Sequence, residues 1–152
     1  MSEENVEVVR RYYEAVERGL RAYWENPRSA EESVKTGDMA PEAVEMTRTL
    51  HPNAEWTTLL TGVTYRGYLG MARGFDEVVD AARNYQVTLQ EVKDLGGDHV
   101  LAELESAMKG SASAIDVKVT VFTLVTVHDG LITRMHEYLE REQALEAAGL
   151  SE

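Results

Sequence analysis

Residues 115–140, IDVKVTVFTLVTVHDGLITRMHEYLE, decide the fold that we predict for this chain. The segment contains two runs rich in β-branched residues, and the pair Asp129-Gly130 lies between them. An Asp-Gly pair accepts the positive φ angles of a two-residue type I′ turn. The segment therefore predicts a β-hairpin in which His128 faces Leu131.

The register of this hairpin sorts its side chains onto two faces. With a two-residue turn, Phe122 lies opposite Glu137 and Leu124 lies opposite Met135, so these four residues share one face. The other face carries a row of valines from 117 to 127. Neither face is uniformly polar, which predicts cover on both sides, by the chain's own helices on one and by a second copy of the chain on the other.

The rest of the chain predicts helices followed by strands. Apolar residues at steps of three and four indicate an amphipathic helix over residues 3–25. Capping signals at Ser29 and Pro41 begin two short helices, of which the first is expected to end near Gly37. A fourth helix is expected over residues 68–83. An isolated strand is predicted at 54–60, a meander of strands at 85–94, 99–109, 115–127 and 131–140, and a closing helix at 141–149. This order predicts an α+β fold in one domain, residues 1–152.

Composition excludes several classes of function. The 152 residues carry a formal net charge of −12, whereas nucleic acids and anionic membrane surfaces attract positive potential. The chain has no cysteine, and its four histidines lack the spacing of metal ligands, so we expect no metal and no cofactor. The acidic start MSEENVEVV is not a signal peptide, and no run approaches the ~20 apolar residues of a membrane span. We therefore expect a cytoplasmic protein.

Four segments together resemble the SnoaL-like branch of the nuclear transport factor 2-like superfamily. They are VVRRYYEAVERG (8–19), LHPNAEW (50–56), YRGYLGMARGF (65–75) and HDGLITRMHEYLEREQALEAAGL (128–150). The resemblance implies a cone-shaped α+β fold, often dimeric through the sheet, with a pocket between sheet and helices. Members include ketosteroid isomerases, limonene-epoxide hydrolases, polyketide cyclases, scytalone dehydratases and ligand-binding proteins, so the resemblance implies fold rather than one chemistry.

The active sites of these relatives are only partly retained. The tyrosine, base aspartate and protonated aspartate of the ketosteroid isomerases correspond to Tyr12, Thr57 and Phe122, so that steroid chemistry is not expected. The five site residues of the epoxide hydrolases correspond to Ser106, Trp56, Thr58, Leu104 and Glu137. Glu137 is then the one carboxylate left, unless Glu103 or Glu105 supplies a second from a shifted register.

Glu137 is the candidate on which the functional interpretation depends. Apolar neighbours would raise its pKa and suit it to acid-base catalysis, with Tyr12 as a hydrogen-bond donor. Alternatively, Glu137 lies at the rim with its carboxylate in water. We expect a small, largely apolar metabolite as the ligand of a cyclase, isomerase or dehydratase. The residues expected to contact it are Tyr13, Trp56, Thr58, Leu104, Ser106, Phe122, Leu124 and Met135.

Two other functions stay open from the sequence. The first is an enzyme similar to the limonene-epoxide hydrolases with a rearranged set of carboxylates, which requires a second carboxylate near Glu137. The second is a non-catalytic binding or assembly domain, in which Glu137 is either exposed or held by structural hydrogen bonds. A homodimer through the sheet is expected for each of these functions.

Overall fold

The computed structural model describes residues 2–109 and 116–150. The predicted strand connection at 110–113 and the predicted strand start at Ile115 lie outside the described residues. The described residues form helices α1 (Ser2–Glu25), α2 (Ala30–Thr36), α3 (Pro41–Thr49), α4 (Gly67–Ala81) and α5 (Arg141–Ala147). They also form strands β1 (Leu50–Thr57), β2 (Thr64–Arg66), β3 (Arg83–Gly96), β4 (His99–Lys109), β5 (Asp116–His128) and β6 (Leu131–Tyr138). The predicted α+β fold is confirmed.

Local signals determine the ends of the short helix α2. The Ser29 hydroxyl accepts a hydrogen bond from the Glu32 amide at 3.1 Å, which satisfies one of the free donors of the first turn. Gly37 ends the helix with a φ of 80°, and its amide donates to the Ser33 carbonyl at 2.9 Å. A left-handed residue at this position favours glycine, so both predicted ends are confirmed.

The sheet has the strand order β2-β1-β6-β5-β4-β3. Strands β3 to β6 form the predicted antiparallel meander, and β1 joins its edge in parallel to β6. The predicted first strand at 54–60 is misplaced by a few residues, because β1 spans Leu50–Thr57 and Leu59 and Leu60 lie exposed in the following turn. Pairing of Trp56 with Met135 is what brings β1 beside the hairpin.

The predicted register of the β5–β6 hairpin is wrong beyond the turn. His128 does pair with Leu131, but the register shifts between Thr126 and Val127. Such a shift is the mark of a β-bulge, and a shift of one residue exchanges the faces. Glu137 consequently pairs with Thr123 and not with Phe122.

Because of this bulge, three further pairs of residues differ from the predicted register. Met135 pairs with Val125, whereas Leu124 pairs with His136 and Phe122 with Tyr138. The valine face of β5 is therefore the face that β6 shares through Met135 and Glu137.

The two faces of the sheet meet different neighbours. The inner face packs against α1, α3 and α4 around a core that includes Val9, Leu20, Val125 and Ile132, each no more than 1% exposed. The outer face carries a smaller cluster of Leu101 and Leu124 beneath Ala144 of α5. Helix α5 thus covers part of the face where a second copy was expected, and the homodimer stays a prediction.

Across residues 2–109 and 116–150, none of the helices has the length and apolar character that a bilayer crossing requires.

Candidate functional site

A cavity of about 440 Å³ lies between the inner face of the sheet and helices α1 to α4. Its wall is mostly apolar and combines aromatic rings with flexible methionines, including Tyr23, Trp56, Phe75, Met39, Met46 and Met71. Methionine side chains adapt to irregular shapes, and aromatic rings offer large flat contact areas. A cavity of this size and character suits a small, largely apolar molecule.

Glu137 contributes the carboxylate at the sheet end of this cavity. Its Oε2 accepts a hydrogen bond from Trp56 Nε1 at 2.9 Å. Its Oε1 accepts two, from Thr58 Oγ1 at 2.9 Å and from the Leu59 amide at 3.0 Å. The three donors belong to β1 and the turn that follows it, so the parallel pairing of β1 with β6 assembles this site.

The environment of Glu137 shifts its pKa through opposing causes. Burial raises its pKa above the ordinary value of 4.5, while the hydrogen bonds from Trp56, Leu59 and Thr58 act in the opposite direction. Each carboxylate oxygen can accept about two hydrogen bonds, so Oε2 keeps one acceptor position free. The carboxylate is thus held in one orientation with an acceptor position to spare.

Buried tyrosines surround the same end of the cavity. Tyr12 and Tyr13 on α1 and Tyr85 on β3 all line it and are at most 9% exposed. Burial is the main cause that raises the pKa of each hydroxyl, and the negative charge of Glu137 adds to it. All three phenols therefore stay protonated at neutral pH and can donate hydrogen bonds.

The structure brings together six of the residues singled out from the sequence. Tyr12, Tyr13, Trp56, Leu104, Met135 and Glu137 all line the cavity. Thr58 is buried behind the lining and holds Glu137, and Ser106 is buried beside Tyr85. Their roles in catalysis or ligand binding stay predictions.

Two expected contact residues are wrongly placed by the sequence reasoning. Phe122 and Leu124 belong to the cluster on the outer face, against α5. The Arg141 guanidinium lies over the Phe122 ring at 5.4 Å from its centroid. The hairpin bulge explains the error, because it moves these β5 side chains to the face opposite Glu137.

The second carboxylate required by a hydrolase does not come from β4. Glu103 pairs with Phe122, and Glu105 with Thr120, on the outer face. Glu103 Oε1 accepts a hydrogen bond from Arg141 Nη2 at 2.8 Å. The shifted register that would bring either carboxylate to Glu137 is therefore absent from β4.

Sequence reasoning missed two contributors to the Glu137 end of the site. Tyr85, Val87 and Leu89 are apolar residues at alternate positions of β3, and this is the pattern of a strand with one buried face. The alternation could therefore have predicted that Tyr85 lies on the inner face. The Leu59 amide had no such signal, because a backbone donor is independent of residue type. Within residues 2–109 and 116–150, no three His, Asp or Glu side chains lie close enough to hold a metal ion.

The α+β fold with a mostly apolar cavity over a curled meander defines a class of small-molecule-binding domains. A family model for the SnoaL-like domain matches residues 28–135, and the chain belongs to that family. No curated protein sequence matches the chain.

Solved structures agree with this assignment of fold. An NTF2-like protein from Burkholderia thailandensis E264 superposes with a TM-score of 0.66 at 17% identity, covering 95% of each chain. A putative SnoaL-like polyketide cyclase from Jannaschia sp. CCS1 gives a TM-score of 0.62 at 16% identity, covering 90% of this chain and 85% of that one. TerC, co-crystallized with polyporic acid, gives 0.57 at 17% identity, covering 74% and 86%. At these identities the likeness concerns the fold alone.

Proposed function

We propose that this protein binds a small, largely apolar metabolite in the cavity and moves a proton on it with Glu137. The observation that carries the proposal is a carboxylate fixed by three donors at the end of a mostly apolar cavity, with one acceptor position of Oε2 unused. The reaction class is that of a cofactor-free cyclase, isomerase or dehydratase. Polyketide cyclases and a protein crystallized with polyporic acid among the structural neighbours support this class.

The proposed step is proton abstraction beside a carbonyl group. Oε2 of Glu137 takes a proton from the carbon next to the carbonyl, and the C–H electron pair moves to make an enolate. Tyr12 donates a hydrogen bond to the enolate oxygen and keeps its own proton, since burial raises its pKa. Protonated Glu137 then returns the proton to carbon, at the same or another position, which restores the carboxylate.

Isotope exchange tests this step with a simple probe. 2-Tetralone is an apolar bicyclic ketone with acidic C–H groups, and its exchange in D₂O can be followed by proton NMR. We expect the wild-type protein to exchange these protons faster than buffer. Glu137→Gln should lower the excess rate by about 100-fold or more, which is the usual contribution of a general base.

A matched variant controls for a loss of activity that does not depend on the position of the carboxylate. Glu103→Gln makes the same chemical change on the outer face, where Arg141 pairs with the carboxylate, and should leave the exchange rate unchanged. Equal rates for wild type and Glu137→Gln would refute the catalytic role of Glu137.

A non-catalytic binding protein is the second candidate. Two of the three hydrogen bonds that hold Glu137 favour it, because Thr58 and the Leu59 amide lie in the turn after β1, which these bonds also stabilise. This function predicts saturable binding of 2-tetralone with exchange no faster than buffer. Absence of both binding and exchange of 2-tetralone would refute both candidates.

A further inference from the structure

We propose that Tyr85 determines which ligands this cavity accepts, because its hydroxyl donates a hydrogen bond to an oxygen atom of the ligand. The inference deepens the proposed function, and rests on it to the extent that the cavity must bind a small apolar molecule. It assigns the ligand to the ketones, phenols and related oxygen-bearing apolar compounds, and excludes plain hydrocarbons as good ligands.

A backbone irregularity turns Tyr85 into the cavity. Asn84 has a φ of 56°, and it and Asp129 are the non-glycine residues with positive φ in the described part of the chain. Asp129 is explained by the hairpin turn, whereas Asn84 lies at the start of a strand. Asparagine adopts this left-handed conformation more readily than other non-glycine residues do, so Asn84 permits the irregular start of the strand. The register also shifts between Arg83 and Gln86, as at a β-bulge, a feature that often redirects a side chain near a site.

The neighbouring elements hold the backbone of Tyr85 in place. Trp24 Nε1, on α1, donates a hydrogen bond to the Tyr85 carbonyl at 2.8 Å. The Tyr85 amide donates to the carbonyl of Ala82, just beyond α4, at 3.2 Å. Tyr85 is therefore tied both to α1 and to the end of α4, while its side chain is 9% exposed and lines the cavity.

The hydroxyl of Tyr85 is available to a ligand. Burial, and after it the negative charge of Glu137, raises the pKa of Tyr85, so the phenol keeps its proton even with Ser106 beside it. Because Tyr85 lines the cavity, this O–H can donate to a bound ligand. Two other cavity tyrosines have protein partners, since Tyr68 donates to the Leu50 carbonyl at 3.1 Å and Tyr13 contacts Met135 Sδ at 3.9 Å.

Complementary groups on the ligand follow from this arrangement. Tyr85 supplies a neutral donor, and Glu137 supplies a charged acceptor at the same end of the cavity. A ketone with an acidic C–H, or a phenol with its O–H, can satisfy both groups. A hydrocarbon would leave the Tyr85 hydroxyl without a partner and the free acceptor position of Glu137 unfilled, which costs free energy.

A pair of probes that differ in one oxygen tests the inference. The affinities of 2-tetralone and of tetralin, its hydrocarbon counterpart, are measured by titration calorimetry for wild type, Tyr85→Phe and Tyr138→Phe. Wild type should prefer 2-tetralone. Tyr85→Phe should reduce that preference by about 3- to 10-fold, the size of one net hydrogen bond, and leave tetralin affinity unchanged.

Tyr138→Phe removes a hydroxyl from a residue that stacks on His136 on the outer face, and should leave the preference unchanged. An unchanged preference in Tyr85→Phe would overturn the inference while leaving the proposed function intact. An equal loss of affinity for both probes would show a structural role for Tyr85, and would also overturn it. If wild type binds neither probe, the proposed function fails, and this inference fails with it.

Discussion

The hydrogen bond from Trp56 to Glu137 offers the most direct measurement of how the site is built. Trp56 Nε1 lies 2.9 Å from Glu137 Oε2, and an indole nitrogen can only donate. In Glu137→Gln the amide oxygen is held by Thr58 and Leu59, which are both donors to the same oxygen. The new amide NH₂ must then face the indole N–H, so a donor meets a donor.

A double-mutant cycle isolates this contact. Trp56→Phe in the wild type loses a hydrogen bond to a charged group, which is worth about 1.5–3 kcal/mol. In the Glu137→Gln background the same substitution removes a conflict and not a bond. The loss of apolar ring area is common to both backgrounds and cancels. Trp56→Phe should therefore cost at least about 1.5 kcal/mol more in the wild type than in Glu137→Gln.

Urea unfolding of the four proteins at mildly alkaline pH gives the required free energies. The other tryptophan provides a control, because Trp24 also donates an indole hydrogen bond but directs it to the Tyr85 carbonyl. A cycle of Trp24→Phe with Glu137→Gln should be additive. A coupling free energy between Trp56 and Glu137 within about 0.5 kcal/mol of zero would refute the hydrogen bond described here. The effects of substitutions at independent sites are additive within about that range.

The pH dependence of stability tests the environment of Glu137 separately. Because burial raises its pKa in the folded protein, the folded state holds this proton more tightly than the unfolded state does. The contribution of Glu137 to stability should therefore be present below pH 4.5 and be lost as the pH rises through the raised pKa. Glu137→Gln should lack this component in urea unfolding at a series of pH values. A variant whose pH profile parallels the wild type would show that Glu137 is not desolvated.

Two predictions concern other parts of the fold. A Cβ at Gly74 would lie 2.5 Å from the Tyr65 ring, so Gly74→Ala should destabilise by about 1–3 kcal/mol in thermal unfolding. Gly70→Ala, in the same helix, meets its nearest atom at 3.9 Å and should gain up to about 1 kcal/mol of helix propensity; equal effects would contradict the packing described. His128 Nδ1 lies 3.0 Å from Asp98 Oδ2, which raises the histidine pKa, so the pair adds stability below pH 6.5 that is lost as the pH rises through the raised pKa. An NMR titration should show this pKa falling in Asp98→Asn, and no change would exclude the pairing.

The sequence by itself determined the local elements of this protein. Ser29 and Gly37 mark the two ends of α2, because each caps the helix through hydrogen bonds within one helical turn. Asp129-Gly130 places the hairpin turn for the same reason, since the φ angles of 51° and 78° depend on those two residues. The order of helices before strands, and with it the α+β class, follows from such short-range patterns.

Only the tertiary structure decided which residues meet at the site. The bulge beyond the turn moved Phe122 to the outer face and left Glu137 inside, although strict alternation had paired them. Trp56 and Thr58 reach Glu137 from about eighty positions earlier in the chain because β1 packs in parallel against β6. A bulge and a parallel pairing are selected by the packing of the whole inner face. Local propensity does not depend on that packing. The alternation of residues therefore singled out Glu137 but did not predict which residues surround it.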